Sequence, residues 1–170
     1  TLAANARVSG YGSWNITVNG VVSDGGNAYT LEKNGGGGGT QGILTLTGAN
    51  TYTGATKITA GTLSVSSLAD GGSASNIGAS SNAVSNLLLN GGTLKYTGAT
   101  TSIDRGFTLT AGVNSYLDVS NASTVMTMSG VMRLRGRAAA VTAVTIGAAA
   151  PPPPSLQPRG PRRRLPPALR

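Results

Sequence analysis

The side chains able to do chemistry are few and far apart. The acids are Asp24, Glu32, Asp70, Asp104 and Asp118, and neither histidine nor cysteine occurs. Thiol catalysis, disulfides and thiolate metal sites are therefore excluded, along with the commonest general base. Glycoside chemistry needs two carboxylates facing one another. The aspartates here stand singly, Asp24 and Asp70 beside Gly, and read as turn caps and solvated positions. Lys33, Lys57 and Lys95 could activate a serine nucleophile, but no motif surrounds them. The run "NGGGGGT" (Asn34 to Thr40) lacks the Gly-Lys-Ser/Thr ending of a phosphate loop and reads as an inter-strand loop. "LADGGSASN" (Leu68 to Asn76) lacks the tandem repetition of calcium-binding nonapeptides. Sequons at Asn15 and Asn121 are what chance yields in an Asn/Thr/Ser-rich chain. No catalytic, cofactor-binding or metal site is expected.

Two features stay open for recognition. Tyr52 and Tyr96 both stand in "YTGAT" and are expected to share a repeat position. They would be packing aromatics or, if exposed, platforms for sugars or a host surface. The second feature is charge. The net +8 is not spread along the chain. Up to Met132, Arg7, Lys33, Lys57, Lys95 and Arg105 balance the five acids; beyond it lie eight arginines, all eight prolines and no acid. "PPPPSLQPRGPRRRLPPALR" could bind nucleic acid or an acidic membrane through charge, or dock as polyproline. Its composition reads first as a disordered tail. Pro, Arg, Ala and Gly are also the residues whose codons can be wholly G and C. The repeat character stops after "SGVM" (Ser129 to Met132), and the preferred reading is an out-of-frame segment beginning near Arg133, which would produce this mixture.

The elements that must position these residues are short strands. Apolar residues recur two apart at Ile16/Val18, Tyr29/Leu31, Leu44/Leu46, Leu63/Val65, Leu87/Leu89, Leu94/Tyr96, Phe107/Leu109, Leu117/Val119 and Met126/Met128. Gly, Asn, Asp and Ser punctuate the intervals, giving one apolar and one polar face per strand. No segment keeps a helical period. "AGTLSV" (Ala60 to Val65) parallels "GGTLKY" (Gly91 to Tyr96), so the strand-turn units repeat loosely. Loose repetition and scarce aromatics favour a solenoid over a sandwich, and at roughly 20–25 residues per turn the body holds five or six turns. The strands are too short for a membrane barrel, which needs about 9–11 residues each.

The stretch "GILTLTGANTYTGATKITAGTLSV" resembles the autotransporter-associated β-strand repeat, also called the passenger-associated transport repeat. The family pattern is roughly G-x-L-T-L-x-G-x-N-T-Y-T-G-x-T-x-I-x-x-G-T-L. Its structural positions are matched here by Leu44, Leu46, Gly48, Asn50, Tyr52, Gly54, Ile58, Gly61 and Leu63. Weaker likeness extends over most of residues 13–132. The resemblance implies an all-β, right-handed parallel β-helix in the exported passenger of a bacterial autotransporter, at the cell surface or secreted. It implies work as a stalk in passenger folding and secretion across the outer membrane. The partner implied is the protein's own C-terminal translocator barrel, absent from this chain. A host surface glycan or protein would be the partner of an adhesin segment; no specific nucleic acid is expected. The expected organisation is a β-helix repeat region over 1–132 and an Arg/Pro/Ala-rich disordered tail over 133–170.

Overall fold

The computed structural model describes residues 1–10, 12–35, 41–135 and 140–147. Its chain winds through two stacked parallel sheets. One carries β1 (Ala6–Gly10), β3 (Leu31–Gly35), β5 (Thr56–Ile58), β7 (Leu87–Leu89), β10 (Phe107–Thr110) and β12 (Val125–Arg135) in that spatial order. The other carries β2 (Ile16–Val18), β4 (Ile43–Leu46), β6 (Thr62–Val65), β8 (Thr93–Tyr96) and β11 (Tyr116–Val119). Each turn lays one strand in the first sheet and the next in the second. The described residues form a parallel β-helix of five such turns, with β12 beginning a sixth.

Short strands follow from the sequence: three to five residues of alternating pattern are soon cut by Gly, Asn or Asp. Alternation then sends one set of side chains inward. In β4, β6 and β8 the pairs Leu44/Leu46, Leu63/Val65 and Leu94/Tyr96 are all at most 3% exposed, while Thr45, Ser64 and Lys95 between them face out. Stacking puts like on like: Leu44, Leu63, Leu94 and Leu117 are successive register partners.

Turn length varies while register holds. Ala6, Leu31 and Thr56 stack at intervals of 25 residues, but Leu44 to Leu63 spans 19 and Leu63 to Leu94 spans 31. The 31-residue offset of the two Gly-Thr-Leu copies is therefore a true stacking register. The two "YTGAT" copies are not. Tyr52 lies in the turn after β4, whereas Tyr96 is a strand residue stacked between Val65 and Val119. The expectation that Tyr52 and Tyr96 share a repeat position is corrected by this placement. Sequence similarity tracked turn chemistry there, not register.

The last turn departs from the winding. β12 pairs first with β9 (Thr101–Ile103) and then with β10, then meets β13 (Ala140–Gly147) in antiparallel register, with a bulge between Met128 and Val131. Strand geometry thus runs through Met132 into Arg135 and resumes at Ala140, inside the segment expected as a tail. "MRLR" keeps the period-two alternation, and "AVTAVTI" is rich in the β-branched residues that strands favour. The polyproline and Arg-rich residues 148–170 lie outside the described residues, as does most of the five-glycine run.

Candidate functional site

The nine repeat-motif positions come together within the second and third turns. Leu44, Leu46, Ile58 and Leu63 are inward strand residues, each at most 1% exposed. Tyr52 is fully buried. Its hydroxyl lies 2.7 Å from Thr56 Oγ1, which in turn donates to the Ile77 carbonyl at 3.1 Å. Burial pushes the Tyr52 phenol well above its ordinary range, although the hydrogen bond to Thr56 and the charge of Arg105 oppose it. It is a structural aromatic, not a surface platform.

Asn50, also fully buried, ties three turns together. Its Oδ1 accepts the Val22 amide at 2.8 Å from the turn before, and its Nδ2 donates to the Asn76 carbonyl at 2.7 Å in the turn after. Asn76 continues the ladder: its Nδ2 donates to the Gly48 carbonyl, and its Oδ1 accepts the amides of Ser66 and Ser67. The motif glycines sit where backbones touch. A Cβ on Gly48 would fall 2.5 Å from the Gly20 carbonyl oxygen, and one on Gly54 would fall 2.2 Å from that of Tyr29. Gly61 adds a left-handed φ of 71°.

The acids are latches. Asp24 is buried; its Oδ1 accepts the Gly26 amide, and its Oδ2 accepts the amides of Tyr29 and Thr53 and the Thr53 hydroxyl. Burial alone would raise its pKa, but these hydrogen bonds overcome it and hold the group at about 2. Asp70 and Asp104, far apart in sequence, are brought side by side. Asp70 Oδ1 accepts the Asp104 amide at 2.9 Å, and Asp104 Oδ1 accepts the Gly71 amide at 2.7 Å. The other Asp104 oxygen accepts from Asn82 Nδ2 at 3.0 Å. Three of the four oxygens of this pair are thus spent on cross-turn hydrogen bonds, which is a loop-fastening geometry. Glu32 lies on the outer face of the first sheet between Arg7 and Lys57, its register neighbours, at 3.2 and 3.7 Å. Partial burial works against its charge; the Thr59 hydroxyl, Lys57 and Arg7 outweigh that and hold its carboxyl below the usual range. No cluster of three His, Cys, Asp or Glu side chains able to hold a metal occurs among the described residues.

Two buried cations escaped the sequence reading. Lys33 occupies an inward position of β3, 2% exposed, and its ammonium donates to the carbonyls of Asn34 and Ala60. Burial lowers its pKa. Arg105, also 2% exposed, threads the long loop between β6 and β7. Its guanidinium donates to the carbonyls of Ala69, Asp70, Ser73, Gly78 and Ser80 and to the Ser80 hydroxyl. The span Leu68 to Asn76, weighed above as a calcium loop, is held by this arginine and by Asn76. Nothing in "SIDRG" marks Arg105 as buried; its only signal is membership of a set of charges that cancel.

Among the described residues, the exposed aromatics do not line up. Trp14 is 75% and Tyr116 58% exposed, and they sit in the first and fifth turns. Tyr52, Tyr96 and Phe107 are buried.

The comparisons with known proteins agree with the motif. Residues 31–65 match the passenger-associated-transport-repeat family. That span runs from the first residue of β3 to the last of β6, two strands in each sheet. Over 124 residues, 73% of this chain, the sequence is 48% identical to the adhesin BmaC autotransporter of Brucella suis biovar 1 (strain 1330). The chain spans 3% of that protein's length. No solved structure matches the chain. The repeat is thus matched by family, by motif residue and by its place in the winding: residues 31–65 of this chain are similar to a passenger-associated transport repeat.

Proposed function

We propose that this chain is a non-catalytic length of β-helical stalk from an autotransporter passenger. Its activity is the stacking itself, which aids passenger folding and secretion across the outer membrane. One observation carries this reading: Leu44, Leu46, Gly48, Asn50, Tyr52, Gly54, Ile58, Gly61 and Leu63 are all spent on holding one turn to its neighbours. Successive turns fold on a template already formed, so each added strand satisfies an open edge. Folding outside the cell, turn upon turn, would draw the rest of the chain outward. The full-length protein would carry its own translocator barrel and display the stalk at the cell surface.

The test is made in the full-length passenger. Gly48→Val and Gly54→Val force a side chain into a neighbouring carbonyl, an overpacking that costs about 1–3 kcal/mol each. Protease-accessible passenger at the cell surface is expected to fall while the barrel still inserts. Undiminished display of a passenger whose purified stalk has lost cooperative unfolding would defeat the reading.

A second reading, an adhesin segment contacting a host glycan or protein, draws on the name of the Brucella relative. The aromatic side chains offer it little, since Trp14 and Tyr116 lie at opposite ends of the stack. Binding of the purified chain to host cells, lost on Trp14→Ala, would favour it over the stalk alone.

A further inference from the structure

The chain carries three Asn-Gly pairs, beginning at Asn19, Asn34 and Asn90. Such a pair can close on itself, because glycine leaves its amide nitrogen unshielded beside the asparagine side chain. The three are held differently. Asn19 Oδ1 accepts the Thr47 hydroxyl at 3.1 Å, which turns that side chain toward the next turn. The Gly91 amide donates to Ser115 Oγ at 2.9 Å, away from Asn90. At the end of β3 the glycine amide meets its own asparagine: Gly35 donates to Asn34 Oδ1 at 2.8 Å. The same peptide group is touched by a cation. Lys33 Nζ donates to the Asn34 carbonyl oxygen at 2.6 Å, and the carbon of that carbonyl carries the Gly35 nitrogen. Room for the ammonium comes from Gly61, where a Cβ would fall 2.6 Å from Nζ. Among the described residues no carboxylate pairs with Lys33.

We propose that Asn34–Gly35 is a self-modifying site, converted to isoaspartate with the Lys33 ammonium as its electrostatic promoter. The inference is independent of the stalk reading. Loss of the Gly35 amide proton puts negative charge on the Asn34 carbonyl oxygen, where the ammonium already sits. The nitrogen is held against the side-chain amide that it must attack. It bonds to Asn34 Cγ, the side-chain amide group leaves as ammonia with the proton from Gly35, and a succinimide ring results. Water then adds to the former backbone carbonyl, which Lys33 polarises. The bond from that carbon to the Gly35 nitrogen breaks, and the nitrogen takes a proton from the water. The chain now runs through Cγ, and the freed α-carboxylate is the group that Lys33 was already touching. Its acid proton passes to the ammonia. Asn34 and Gly35 are both partly exposed, so water reaches the ring. The product gives a buried cation its anion, at the oxygen where it already makes a hydrogen bond.

The whole 170-residue chain is aged in neutral buffer and followed by peptide mapping, with fragmentation that separates isoaspartate from aspartate. Asn34 is expected to convert about tenfold faster than Asn19 or Asn90, the scale of one hydrogen bond to a charged group. In denaturant all three pairs share one chemistry, so Asn34 should slow and the order should collapse. Lys33→Met keeps an unbranched apolar stem and removes the charge. Conversion at Asn34 should then fall about tenfold while Asn19 and Asn90 keep their rates. Those two also report folding, because a variant that had opened would show every pair at its denatured rate. In that event the native and denatured wild-type chains decide between them. Asn34 that stays intact, reacts faster unfolded than folded, yields aspartate alone, or keeps its rate in a folded Lys33→Met chain would overturn the proposal.

Discussion

Asp24 shows how much of this molecule's polar chemistry is structural. Its carboxylate accepts from both ends of one turn and from Thr53 in the next, and its pKa is about 2 against an ordinary 3.8. A depressed folded-state pKa stabilises the fold above the unfolded-state value, and that contribution is lost as pH falls through the folded one. The unfolding midpoint in denaturant should therefore decline between about pH 4 and pH 2. Glu32, also depressed, adds to the decline. Asp24→Asn should be less stable at neutral pH and should flatten this part of the profile. A variant profile parallel to the wild type would assign the acid sensitivity elsewhere. The aspartate's role as a turn cap was legible from its glycine neighbours. That one carboxylate serves two turns was not, because Thr53 reaches it only once the winding is set.

At the level of the element, the loop between β6 and β7 is the longest connection in the described stack and the one with a charged pin. Arg105 is to this loop what a hydrophobic core is to a larger one. Arg105→Ala would leave five carbonyls without that donor, and a buried acceptor left unsatisfied costs about 1–3 kcal/mol. Arg105→Lys should recover little, since an ammonium has three donors and no fork. Amide hydrogen exchange should show loss of protection confined to residues 67–80; loss spread over all turns alike would mean that the loop is not a separate unit. The strands themselves were largely readable. Seven apolar pairs, from Ile16/Val18 and Leu44/Leu46 to Met126/Met128, lie on strands with their in-out alternation as expected. β5 and β9 escaped notice because each carries one apolar inward residue, Ile58 or Ile103, beside a threonine. β3 was half seen: Lys33 stands where the pattern called for an apolar partner to Leu31.

For the whole molecule the open question is where the winding ends. Parallel stacking continues to Arg135, and the next strand, β13, runs antiparallel. An out-of-frame origin for the arginine- and proline-rich residues after Met132 remains our proposal for this change of habit. Reading the gene in its other frames past the Met132 codon should reveal a continued Gly-Thr-Leu pattern. Stops in both other frames, with the present frame clean, would make the tail genuine and its eight arginines a binding question.

The unequal turns have a mechanical consequence. Register partners sit 19 to 31 residues apart in the chain, yet every turn adds the same one-strand step to the stack. Pulled from its two ends, such a rod would not stretch evenly. It would peel one turn at a time, and a 25-residue turn such as Ala6 to Leu31 would release roughly 80 Å of slack. The turn pinned by Arg105 would be the last to let go. The same architecture that is stiff along its length would then act as a shock absorber, with a step size written in the spacing of its leucines.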